Sequence, residues 1–179
     1  MIALPNQGFF PNVLPLIRTL FNIVLLRQGP EDIPRSWLLF LLTLAFWLFS
    51  ALAALALIEQ FDEADFFLGF FSGTIGLLCY GSLVVAGGRS ARLLATMSAI
   101  IGCGALISLI FVVEYVLLKP LLGEIAAGLI ANLILLWSVP VEGHIIARAL
   151  DRHWYIGILI AIVVFALQYV VYNVVTSSS

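Results

Sequence analysis

Between Trp37 and Ile58 the chain reads WLLFLLTLAFWLFSALAALALI, without one charged residue. About 20 apolar residues suffice for a helix to cross the hydrocarbon core of a bilayer, so this stretch reads as a membrane span. Working outward, the acidic run Glu59-Gln60-Phe61-Asp62-Glu63-Ala64-Asp65 ends it, and Phe66 to Ala86 supplies a second span. Gly87-Gly88-Arg89-Ser90-Ala91-Arg92 is a tight polar turn, and Leu93 to Leu118 is a third span that closes on Lys119-Pro120. Proline has no N–H for the helix ladder, so it marks a break between two otherwise continuous apolar runs. Leu121 to Val139 is the fourth span, Glu142 to His153 a polar, amphipathic segment, and Trp154 to Val175 the fifth span. The predicted fold is an all-α membrane protein, a bundle of five transmembrane helices with an N-terminal interfacial amphipathic helix. Residues 1–35 form the cytoplasmic or interfacial segment, 36–175 the transmembrane domain and 176–179 a short outer tail.

Composition says the same. Of 179 residues, 63% are hydrophobic and 10% charged, and mean hydropathy is +1.17. A soluble domain carries about 25% charged residues, so too few polar groups remain here to cover a water-facing surface. A net charge of −2 gives no footprint for nucleic acid. Cys79 and Cys103 both fall inside apolar runs and read as small packing residues rather than a disulfide. The first apolar segment lacks a basic n-region and is interrupted by Pro11, Pro15 and Arg18, so no cleavable signal is expected.

Charge sets the expected orientation. Arg18, Arg27 and Arg35 precede the first span, Arg89 and Arg92 join the second to the third, and Arg148 and Arg152 join the fourth to the fifth. Five spans put all of these on one side and leave Lys119 alone on the other. The positive-inside rule then predicts a cytoplasmic N-terminus and an outer C-terminus. Before the first span, Leu14, Ile17, Phe21 and Val24 recur at helical spacing from Asn12 to Arg27, with Arg18, Thr19 and Asn22 on another face. This predicts a helix that stops at Gly29-Pro30, lying in the membrane interface or packed on the bundle.

Polar groups inside a bilayer are costly, so each asks for a reason. Glu114 lies near the outer end of the third span, close in sequence to Lys119 and Glu124. The three form a cation or proton site on one reading and a solvated headgroup-level set on the other. Asn132 in the fourth span and Gln168 in the fifth are deeper, where amides serve as hydrogen bonds between helices or contact a substrate. Gly69, Gly73 and Gly76, with Gly81 beyond, and Ser98 with Gly102, have the small-residue spacing that lets helix backbones approach, as do Ala127 and Ala131. His144 and His153, with Glu142 and Asp151, match no metal-site spacing, and no metal or other cofactor is predicted. The chain contains no HExxH pair, GxSxG elbow, GxxxxGK[ST] loop or CxxC pair, so no catalytic residue is assigned.

The five-span pattern over residues 14–174, the proline-containing segment before the first span, and the turn Leu83-Val84-Val85-Ala86-Gly87-Gly88-Arg89-Ser90 resemble a bacterial member of the Yip family, the Ypt/Rab-interacting membrane proteins. The eukaryotic members would imply vesicle trafficking and small-GTPase binding through a long cytoplasmic region. Only about 35 residues precede the first span here, so GTPase binding is not carried over. The expected role is that of a non-enzymatic integral membrane protein that organises lipid or partner membrane proteins, itself included. The alternative is a small transporter or permeation subunit using Glu114, Asn132 and Gln168.

Overall fold

The computed structural model describes residues 13–58 and 63–178, and every regular element among them is helical. In chain order these are α1 (Val13–Val24), α2 (Trp37–Leu57), α3 (Glu63–Ala86), α4 (Leu93–Leu117), α5 (Lys119–Leu122), α6 (Glu124–Leu136), α7 (Ser138–Ala149) and α8 (Trp154–Ser178). Five stretches are long and apolar enough to cross a membrane: Trp37–Leu57, Phe66–Ala86, Ser90–Leu117, Glu124–Ala149 and Trp154–Ser177. Large apolar side chains such as Phe67, Leu121, Ile125 and Leu159 lie exposed along them. The chain is thus built as an integral membrane bundle, its outer surface matched to hydrocarbon. The part of the acidic run from 59 to 62 lies outside the described residues, as do residues 1–12 and 179.

Helix α4 is the axis of the bundle. It packs against α1, α2, α3, α6 and α7, and Ala95, Ser98, Ala99, Gly102, Cys103 and Ala105 are buried along it. In lipid there is little hydrophobic drive between helices, so close backbone approach through small residues supplies the packing. Gly102 demonstrates it: a Cβ there would lie 2.7 Å from Leu20 Cδ2 on α1 and 3.2 Å from Thr43 Cγ2 on α2. Thr43 and Ser50, both buried, satisfy their hydroxyls on the carbonyls of Phe40 and Trp47 within α2, at 2.8 and 2.7 Å.

The fourth crossing differs from the expectation. Instead of ending at Val139, helix continues through α7 to Ala149 and joins α6 at Trp137. Pro140 has no N–H to give the carbonyl of Leu136, which interrupts the ladder there without ending the helical path. The segment expected to be a polar connection is therefore half buried, with Val141, Gly143, Ile145, Ile146, Ala147 and Ala149 inward. It forms a tight hairpin with α8. A Cβ on Gly143 would sit 2.8 Å from the Ile158 backbone, and one on Gly157 would strike the Gly143 carbonyl.

The N-terminal helix packs on the bundle, and its buried residues are Leu16, Leu20, Ile23 and Val24. Ile17 and Phe21, part of the apolar stripe read from the sequence, point outward. A helix this rich in apolar residues has two apolar faces, one for protein and one for lipid. It also stops before Gly29-Pro30, at Val24. Leu26 adopts a left-handed conformation (φ 60°) and Arg27 N–H reaches the Asn22 carbonyl at 2.9 Å.

That cap recurs. At the end of α3 Gly88 is left-handed (φ 71°) and Arg89 N–H donates to the Val84 carbonyl at 3.0 Å. At the end of α7 Asp151 is left-handed (φ 51°) and Arg152 N–H donates to the Ala147 carbonyl at 2.8 Å. Each is a six-to-one closure of the helix terminus, and each carries an arginine next to the left-handed residue, where the helix dipole is negative. The α3 and α7 ends are tied together. Arg92 donates to the carbonyls of Arg148 and Ala149 at 3.1 and 3.2 Å and to Asp151 Oδ1 at 2.7 Å, and Arg89 meets Asp151 Oδ2 at 2.8 Å. The hydrogen bond from Arg92, and then the charge of Arg89, hold the Asp151 carboxyl below its ordinary range. Three contacts pin the N-terminal segment to the fourth crossing. Trp137 Nε1 donates to the Val24 carbonyl at 3.0 Å, His144 Nε2 lies 2.9 Å from the Gln28 carbonyl, and Arg148 pairs with Glu31.

Candidate functional site

A cavity of about 300 Å³ lies inside the bundle between α2, α3, α4, α7 and α8. Its polar wall is built from three helices. Tyr80 on α3 is fully buried and donates its hydroxyl to Glu142 Oε2 on α7 at 2.6 Å. Gln168 on α8 borders the same space and donates its amide to the Ser72 carbonyl on α3 at 3.0 Å. Trp47, Phe70, Ile100 and Ile101 supply apolar surface.

Register explains the meeting. Tyr80 is six residues from the end of α3 and Glu142 seven from the end of α7, which puts both about 10 Å in from the same end of the bundle at 1.5 Å per residue. Gln168 is fourteen residues into α8, about 20 Å in. The cavity therefore reaches from the arginine-capped end to the middle of the bundle.

Glycine makes it hollow. A Cβ at Gly69 or at Gly73 would find nothing within 4 Å, whereas one at Gly76 would run into the Gln168 amide, whose Cδ lies 3.1 Å away. Gly69 and Gly73, expected as helix-packing residues, thus line open space, and Gly76 admits a side chain from α8 rather than another backbone. Ser98 and Gly102 are buried on α4 in the packed part of the bundle. On its bilayer side the cavity borders exposed residues, Gly69, Phe70 and Thr74. There α2 and α3 touch sparsely, Trp47 and Phe70 meeting with ring centroids 5.7 Å apart. Thr74, Leu77 and Ile101 also line an apolar groove that continues along α3 to Ala86.

The other polar residues singled out in the sequence lie elsewhere. Glu114 is 3% exposed on α4, its Oε1 without a hydrogen-bond partner, so it is not solvated at headgroup level. Lys119 lies over the Tyr115 ring, donates to the Tyr115 hydroxyl at 2.9 Å and approaches Glu124 at 3.9 Å. Asn132 is exposed on α6 and bonds the Gly128 carbonyl of its own helix at 2.8 Å, so it makes no bridge between helices there. Gln168 does make one. Glu114 and Asn132 do not border the cavity, so the trio named for transport is not assembled around it. His144 and His153 are engaged separately, the latter stacked on Tyr155 at 5.4 Å. Among the described residues no group of three metal-ligating side chains forms.

No family model matches the chain, and no curated protein or solved structure is similar to it.

Proposed function

We propose that the chain is a non-enzymatic integral membrane protein that takes an amphiphile from the surrounding bilayer into this cavity and thereby organises lipid around itself. The observation that carries the reading is the hollow between α2 and α3, glycine-lined on its bilayer side and polar at its inner end. A molecule with a short polar group and an apolar tail matches that gradient: the head would reach Glu142 and Tyr80, and the tail would leave along the α3 groove. The proposed setting is a bacterial inner membrane with the arginine-capped end cytoplasmic, the N-terminus inside and the C-terminus outside. We propose kinship with the Yip family on the sequence pattern alone, its five apolar runs and the Gly87-Gly88 turn.

The test is extraction of the protein into polymer-bounded discs that carry its native membrane. Mass spectrometry should find one amphiphile class enriched severalfold over the bulk membrane. Gly73→Leu, which fills the cavity from its bilayer side, should remove the enrichment. A disc composition equal to the bulk for both proteins would refute the reading.

A further inference from the structure

We infer that the cavity selects a lipophilic organic cation, a protonated or quaternary amine on an apolar body, with Glu142 as its counter-ion. This rests on the reading of the cavity as a bilayer-facing binding site and adds the chemical class of its occupant.

Charge is the first argument. Among the described residues on the cavity wall Glu142 is the one carboxyl group, and no arginine, lysine or histidine borders it. Nor does any recorded ion pair among the described residues engage Glu142. Tyr80 supplies a single hydrogen bond to one carboxylate oxygen. A phosphate-bearing headgroup entering here would face a carboxylate with no cation to offset the repulsion. A cation would instead be attracted to the carboxyl group in a medium that screens weakly, which offsets the cost of taking its charge out of water.

The second argument is the aromatic surface along the cavity. Trp47 and Phe70 present inclined rings, 48° apart, and Tyr80 adds a third aromatic surface. Aromatic faces attract cations, most strongly where water is excluded. Phe70 lies ten residues from Tyr80 on α3, about 15 Å along the helix, so the Tyr80 ring flanks the Glu142 carboxyl while Trp47 and Phe70 receive the apolar body, a division suited to an organic ammonium on an apolar group. A bare metal ion is a poor match, since calcium takes six to eight oxygen ligands. The cavity supplies the Glu142 carboxyl and the Gln168 carbonyl oxygen, which the register of α7 and α8 sets about 10 Å apart along the bundle, too far to share one ion. At about 300 Å³ the space also fits a small organic head rather than an ion.

The experiment compares two probes of one shape on the full-length protein in lipid nanodiscs. Benzyltrimethylammonium carries the charge, and neopentylbenzene is its neutral carbon counterpart. Titration calorimetry against empty discs should show saturable binding of the cation, at least tenfold tighter than any binding of the neutral probe. Glu142→Gln keeps the side-chain length and an acceptor for Tyr80, and should weaken the cation at least tenfold while leaving the neutral probe unchanged. Equal affinity for the two probes would overturn cation selection and leave the amphiphile-binding reading standing. No saturable cation binding, or binding undiminished in a folded Glu142→Gln, would overturn the proposal as well. If Glu142→Gln does not fold, the two-probe comparison on the parent protein decides alone. Loss of native amphiphile enrichment with cation binding intact would count against the wider function and not against this site.

Discussion

The α7–α8 hairpin offers the sharpest quantitative test, because two sets of glycines make opposite predictions. A methyl group added at Gly157 would lie 2.7 Å from Ala147 Cβ and 2.9 Å from Ala147 N, and would strike the Gly143 carbonyl as well. Ordinary carbon contacts begin near 3.4 Å. The helices must separate by roughly 0.7 Å to relieve the first contact, enough to forfeit a quarter to a half of the dispersion energy along the seam. Gly157→Ala should therefore cost about 1–3 kcal/mol, the usual range for forcing volume into a packed interface. Gly143→Ala should cost a similar amount, since its Cβ would meet Ile158 Cα and N at 2.8 Å. The two should be less than additive: once the helices have parted for one methyl, the second meets less resistance. Gly73→Ala is the control, with nothing within 4 Å, and should stay within about 0.5 kcal/mol of the parent. Reversible unfolding in mixed micelles of dodecyl maltoside and increasing SDS, followed by tryptophan fluorescence, reads the parent, the three single variants and the double variant. A Gly157→Ala as stable as the parent, or a Gly73→Ala as damaged as Gly157→Ala, would refute the argument that Gly143 and Gly157 pack while Gly69 and Gly73 line space.

Four further outcomes are expected. Arg92→Ala strips a donor from the last carbonyls of α7 and should lower stability by about 1 kcal/mol, since the side chain is partly exposed and the helix-end interaction is screened. Because the native carboxyl of Asp151 is held below its unfolded range, the stability it contributes is present above that range and is lost as pH falls through the native value. The gap in unfolding midpoint between the parent and Asp151→Asn should accordingly be open at pH 7 and close in acid, and a gap that widens in acid would contradict the pairing with Arg92 and Arg89. Glu114→Met replaces a buried carboxylate whose Oε1 has no partner, and should leave the unfolding midpoint unchanged or higher; a clear loss of stability would mean that Glu114 holds a ligand or partner. With Cys79 and Cys103 changed to alanine, Ser90→Cys should react with an impermeant thiol reagent from the cytoplasmic side alone, and labelling of intact cells from outside would overturn the orientation.

How much of this was legible in the sequence follows from what each signal measures. Hydropathy over a long window reports lipid exposure, so the uncharged run from Trp37 to Ile58 and the four apolar crossings after it were visible without coordinates. The same window fails on α7. Pro140, Glu142, His144 and Arg148 dilute its hydropathy, yet each of the three ionisable groups has a partner across the bundle: Tyr80, the Gln28 carbonyl and Glu31. Burial there is decided by pairing, and a partner sixty or more residues away leaves no mark at the position itself. Glycine spacing was ambiguous for a related reason. The repeat at Gly69 and Gly73 specifies a shared helix face but not what stands opposite, and here the opposite side is empty. Gly102, paired by spacing with Ser98, does pack against its neighbours, whereas Gly143 and Gly157, which join α7 to α8, sit on different elements and so form no spacing motif. Gln168 could be read because an amide deep in a span must find an acceptor, and the near acceptor is the Ser72 carbonyl beside the open Gly76 face. Asn132 obeys the same requirement by turning back to Gly128 on its own helix, which the amide rule permits equally well. The cavity is thus the part of the site least accessible from sequence, because it is defined by side chains that are missing where α2, α3 and α4 would otherwise close.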